Sequence, residues 1–269
     1  MVTTPIESGN FGKRVLVSPV STMVLSEARG LVFYPSPRPS NERIFNSSAN
    51  GLSSGSSLLE ARVHGLLEVI ERDAISFHHV RDQTQPVRVS TLPEALTPVI
   101  EAIRAVGVEF CLRFVPNELR IPVFASLLVD HSPDGRGFIA IGTGCHLDPL
   151  YAAVSAVCEA AQARISFISG TGHGKNFEEV YRSLRPSLDI KAVPEYQASL
   201  TLIADDKAAI DFQDVQHPCR NVTNIDEAWE FLTLRLKQFR FTQLCRIVYS
   251  PPESPIKVVR IVVPRMEFF

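Results

Sequence analysis

Apolar residues recur at Leu59, Val63, Leu66, Leu67 and Ile70, spaced by three and four, which predicts a helix with one buried stripe. The pattern runs on through Ile75 and Phe77. Ahead of it, Asn50–Ser57 is polar and glycine-bearing and predicts a loop. Arg14–Val20 alternates and reads as a strand ending at Pro19. Leu92–Val106 predicts a helix that starts at Pro93 and closes at Gly107. Val108–Val115 and the apolar Pro122–Val129 predict strands, and Asp130–Gly137 a turn. Phe138–Ile141 opens a further strand that is expected to end at Gly142 and Gly144. Asp148 then suits a cap and Pro149 the first position of a helix reaching Arg164. Asn224–Lys237, with Ala228, Trp229, Phe231 and Leu232 in period, predicts a helix capped by Asn224 or Asp226. Val258–Val263 predicts a buried strand stopped by Pro264. The N-terminal dozen residues and the proline- and serine-rich Tyr34–Asn41 predict irregular chain. Strands alternate with helices, so the expected class is mixed α/β (α+β), mixed sheets flanked by helices.

The polar side of the first helix carries the candidate chemistry. At about 100° per residue, Glu60, Glu71, His64, Glu68 and Arg72 fall within an arc of about 120°. Clustered carboxylates repel one another unless a positive group sits among them. Arg72 can pair with Glu68 at i,i+4, and a hard cation such as Mg²⁺ can serve the rest, since it takes oxygen ligands and bridges carboxylates to phosphates. Gly51 and Gly55 let a backbone approach a ligand, Ser53, Ser54, Ser56 and Ser57 offer hydroxyls, and the helix N-terminus favours anions. A plainer account also fits: Ser57 with Glu60 three residues on is a capping box, and Glu68 with Arg72 an exposed ion pair. On the second candidate helix, Ser155, Glu159 and Gln162 share one side, while Arg164 points elsewhere. His78-His79 and the lone His173 read as structural or surface residues.

Composition narrows the partners. The chain has 269 residues, 45% hydrophobic, with a net charge of −2, so a sizeable core is expected and no nucleic-acid or polybasic membrane surface is. The five cysteines form no CxxC pair, which suggests neither a zinc site nor a disulfide framework and fits a reduced, cytoplasmic protein. No signal peptide and no run long enough to span a membrane is visible.

The segment NGLSSGSSLLEARVHGLLEVIERDA resembles the hallmark of the YcaO family, ATP-dependent enzymes that activate peptide backbone amides. Ser53 and Glu60 match the family's first Ser and Glu, Glu68 the later Glu, and Glu71-Arg72 the closing pair. The family's Asn stands as Ser56 here. GTGCHLDPLYAAVSAVCEAAQAR resembles a second family stretch, with Gly142, Gly144, His146, Asp148, Pro149, Glu159, Gln162 and Arg164 in matching places. The resemblance implies a YcaO-like domain that binds ATP through Ser53, Ser56, Arg72, Gln162 and Arg164, and Mg²⁺ through Glu60, Glu68, Glu71 and Glu159.

It also implies a reaction. ATP phosphorylates an amide oxygen, and a nucleophile then attacks the carbon, giving an azoline by cyclodehydration or a thioamide by thioamidation, as in the biosynthesis of ribosomally made, modified peptides. The implied partners are a peptide or protein substrate and a partner protein that delivers substrate or sulfur, with room for a homodimer. The resemblance runs from about Arg14 to Phe269 and lacks the family's earlier serine–glutamate helix, so residues 1–269 are expected to be a partial YcaO domain. Such a chain is expected to bind Mg²⁺–ATP weakly alone without turning it over, or to act as a non-catalytic binding subunit.

Overall fold

The computed structural model describes residues 6–7, 14–15, 49–80, 82–130, 138–168, 209–215 and 222–266. In chain order the strands are β1 (Ile6–Glu7), β2 (Arg14–Val15), β3 (Leu52–Gly55), β4 (Gln85–Pro86), β5 (Glu109–Phe114), β6 (Val123–Asp130), β7 (Phe138–Cys145), β8 (Cys245–Val248) and β9 (Lys257–Val262). The helices are α1 (Leu58–Val80), α2 (Thr97–Ala105), α3 (Pro149–Ile168) and α4 (Ile225–Gln238). The chain divides into two compact units, Met1–Val80 with Cys219–Phe269, and Arg81–Pro218.

In the first unit, β3, β9 and β8 form an antiparallel sheet in that order, with Ser53 opposite Val259 and Ile247 opposite Arg260. Helix α1 lies against β3 and β9 and also meets α4. Its predicted stripe is inside: Val63, Leu66, Leu67 and Ile70 are buried, joined by Ala61, Val69 and Ala74. A fully buried side chain of this size contributes roughly 1.5–3 kcal/mol, so this face holds the helix on the sheet.

The structure corrects the serine loop. Leu52–Gly55 is a strand, because the β9 backbone gives it a full antiparallel ladder. Gly51 turns the chain into it at φ 73°, and a Cβ there would overlap the Ile261 carbonyl. This glycine therefore serves a backbone-to-backbone approach inside the unit.

In the second unit, β4, β5, β6 and β7 form an antiparallel sheet in that order. Parallel pairing is confined, among the described residues, to the single bridge between Val87 and Ile210. Phe110, Leu112, Phe124 and Leu128 pack with Ile100 and Ile103 of α2 and with Ala152, Ala156 and Ala160 of α3. The expected end of β7 is corrected too: the strand runs through Gly142 and Gly144 to Cys145. A Cβ on Gly142 would strike Ala160 N and the Ala156 carbonyl, and one on Gly144 the Ala152 carbonyl. The glycines bring α3 onto the strand, where sequence alone suggested a break.

Of the remaining expectations, Arg14–Val15 is the described part of the first strand. The turn at 131–137, the residues around His173 and most of 191–214 lie outside the described residues. Among the described residues, no helix is long and apolar enough to cross a membrane.

Candidate functional site

The N-terminus of α1 is tied down by its own serines. Glu60 N–H donates to Ser57 Oγ at 3.1 Å, the first half of a capping box. Glu60 Oε2 accepts from Ser56 N–H at 2.8 Å and from Ser56 Oγ at 2.6 Å. These Ser56 bonds are the main reason the Glu60 carboxyl titrates below its ordinary range. Ser53 Oγ donates to the Ala61 carbonyl at 2.6 Å. Ser53, Ser56 and Glu60 thus hold strand, turn and helix together.

Two turns further along α1 the surroundings change. Glu60 precedes Glu68 by about 12 Å of helix rise, so an ion shared by Glu68 and Glu71 is out of its direct reach. Glu68 and Glu71, at i,i+3, are neighbours. Burial pushes the Glu68 carboxyl up to about 7, against the opposing pull of Arg72; Glu71 raises it further, while the Gly51 amide donates to it and Arg260 favours its charge. Arg72 lies 4.0 Å from Glu71 and also favours the charged form of Glu68, the partner the sequence suggested.

The sequence reading missed Arg260. It sits in the middle of β9 and is 3% exposed, with burial holding its guanidinium below its ordinary range. Its side chain is hydrogen-bonded to Tyr249, and its Nε is buried without a hydrogen-bond partner. Burial also pushes the Tyr249 phenol up. The signal was available: an arginine inside the apolar run VVRIVV is expensive to bury unless anions meet it.

The second unit carries the remaining candidates. Asp148 caps α3, accepting from Leu150 N–H at 2.8 Å, and its own N–H donates to His146 Nδ1 at 3.0 Å. Glu159 turns towards β7, where its Oε2 accepts from Thr143 N–H at 2.7 Å and Thr143 Oγ1 at 3.2 Å. Gln162 is exposed on the same helix. Arg164 donates to Asp130 Oδ2 at 2.8 Å, which accounts for its pointing away from Glu159.

The structure therefore gathers Glu68, Glu71, Arg72, Arg260 and Tyr249 in the first unit, and places Glu159, Gln162 and Arg164 in the second. Among the described residues, no group of three or more His, Cys, Asp or Glu side chains is arranged to hold a metal ion. The first-unit set suits a magnesium-bound phosphate chemically: two carboxylates offer hard oxygen donors, two guanidinium groups offer counter-charge, and one of these has an unsatisfied buried nitrogen.

Comparison with known proteins gives this geometry a family. A family model described as YcaO cyclodehydratase, ATP- and Mg²⁺-binding, matches residues 26–267. A Rhizobium leguminosarum bv. trifolii protein named for its place in the tfuA 3′ region is 29% identical over 233 residues, covering 83% of this chain and 53% of that one. The chain thus spans about half the length of that curated relative. The structure of YcaO from Methanopyrus kandleri bound with AMPPCP and Mg²⁺ superposes with a TM-score of 0.66 at 22% identity, over 98% of this chain and 67% of that one. A heterocyclase in complex with substrate and cofactor gives 0.69 at 20% identity, over 98% of this chain and 35% of that one. Matched by the family model along nearly all of its length, and built on the fold of those structures, the chain belongs to the YcaO family.

Proposed function

We propose that this chain serves the ATP- and Mg²⁺-dependent activation of a peptide backbone amide by phosphorylation of its oxygen. The observation that carries the reading is Arg260, a buried arginine with an unsatisfied Nε beside the carboxylate of Glu68. Burying such a charge is costly without an anion to meet it, and a phosphate supplies more anionic oxygen than one half-buried carboxylate.

Glu68 and Glu71 hold the cation, with the Gly51 amide fixing Glu68. Arg72 and Arg260 face the phosphates. Bound Mg²⁺ supplies neutralisation of the charge that develops on the phosphates during transfer. A triphosphate with its cations is an extended ligand, so the family resemblance assigns Ser53, Ser56 and Glu60 to another part of it. The family resemblance gives Glu159 a metal-binding role and Gln162 and Arg164 a nucleotide-binding one, with Thr143 holding Glu159 in place. The activated carbon is then open to a side chain, giving an azoline, or to sulfide, giving a thioamide. The superposed heterocyclase with bound substrate supports a peptide substrate, and a partner protein that brings substrate or sulfur belongs to the same proposal.

A second reading, a binding subunit that turns nothing over, is favoured by the internal engagement of Ser53, Ser56 and Glu60. Measuring Mg²⁺–ATP binding by calorimetry and ADP release in the presence of peptide separates the two. With the family's earlier serine–glutamate helix supplied in trans, the proposal expects turnover that falls about 10²–10³-fold in Glu68→Gln, the usual loss for one preorganised electrostatic contact. Binding without turnover identifies the second reading, and no binding at all overturns both.

A further inference from the structure

The C-terminal half of α4 and the segment after it enclose a second site, apart from the carboxylate cluster. A cavity of about 230 Å³ is walled by Trp229, Thr233, Leu236, Phe241 and Leu244, with Lys237 at its edge. Its floor is apolar and firm, since Leu236 and Phe241 are buried. Lys237 supplies a cation to its lining, and guanidinium groups stack on two of its aromatic residues. The Arg62 guanidinium lies over the Trp229 ring at 5.9 Å, and that of Arg265 over the Phe241 ring at 5.3 Å. Arg265 is anchored there by donating to the Arg240 carbonyl, with both residues held at positive φ. Among the described residues, none of Arg62, Lys237 and Arg265 takes part in an ion pair. The acidic residues of α4 occupy its first half, and Glu227 there is taken up by Thr223.

We propose that this pocket docks an acidic segment of a peptide substrate through one bulky apolar side chain. Size argues for a side chain, because cofactor and drug-sized ligands occupy roughly 300–1,000 Å³. Charge argues for acid on either side of it: Lys237 in the lining and the guanidinium groups stacked on Trp229 and Phe241 form no ion pair with a described carboxylate, in a protein whose net charge is −2. A pocket walled by Trp229 and Phe241, each with a guanidinium group stacked on its ring, also has the composition of an interface hot spot. The site is independent of the nucleotide chemistry, so its occupancy needs neither ATP nor Mg²⁺.

Trp229 is the only tryptophan in the chain, so its fluorescence reports on the pocket alone. The test titrates the 269-residue chain with the acetylated, amidated pentapeptide DEFED, and with DEAED and NQFQN as controls. The proposal expects a saturable blue shift with DEFED and at least about tenfold weaker binding of both controls, as for loss of a hot-spot contact. Lys237→Glu, on an exposed side chain, is expected to weaken DEFED by about tenfold while leaving the far-ultraviolet circular dichroism and Mg²⁺–ATP binding unchanged. Arg265→Ala provides a second variant for the same loss. No saturable shift, equal binding of DEFED and NQFQN, or unaltered affinity in both variants overturns the proposal. A shift that depends on protein concentration without peptide overturns it in favour of a second copy as the occupant.

Discussion

Glu68 is a carboxylate whose surroundings favour its proton. Its pKa stands at about 7 in the folded chain against an ordinary 4.5. Between those values the native state keeps a proton that the unfolded chain has lost, so the contribution of Glu68 to stability is greatest below pH 4.5 and falls as the pH rises to 7. Glu68→Gln removes that slope. Urea midpoints at pH 4.5, 5.5 and 7.5 are expected to shift in favour of the variant as the pH rises, and parallel profiles would refute the account. Mg²⁺–ATP opposes the trend, because a cation favours the ionised carboxylate; its stabilisation of the wild-type chain is expected to be larger at pH 7.5 than at pH 5. At this scale the sequence was half legible. Helical spacing put Glu68 and Glu71 side by side. It could not show that Arg260, distant in the chain, lies in the adjoining strand, because strand pairing is set by tertiary register. Angular periodicity also placed Glu60 on the same arc while saying nothing of its axial distance.

Elements were legible where local chemistry decides them. Asp148 with Pro149 marked the start of α3, and Asn224 or Asp226 that of α4; of the two, Asn224 is the cap, its Oδ1 accepting from Glu227 N–H at 2.9 Å. They were illegible where a distant partner decides them. Leu52–Gly55 has the composition of a loop and becomes a strand only because β9 pairs with it. Gly142 and Gly144 look like breakers and instead admit α3 to the surface of β7. Gly142→Ala is therefore expected to destabilise the chain by about 1–3 kcal/mol, as overpacking does. The check is a denaturant midpoint, and a neutral outcome would show that α3 can retreat without loss.

For the whole molecule, the mixed class and its flanking helices followed from the alternation of periods. The division into units did not, because one of them is built from both ends of the chain. Residues 81–218 form a continuous stretch with its own four-stranded sheet and its own apolar cluster. Expressed alone, that stretch is expected to fold, with a cooperative thermal transition and strand-rich circular dichroism. A non-cooperative melt would show that its core needs the remaining chain.

The pairing of β3 with β9 joins residues about two hundred positions apart. Contacts between distant residues form slowly, since a long loop must close first. On the ribosome β3 and α1 emerge early and wait for their partner strand, while residues 81–218 can fold in the interval. Glu68 therefore meets Arg260 only when synthesis has passed β9. A nascent chain shorter than that carries the Glu68 carboxylate without Arg260 beside it.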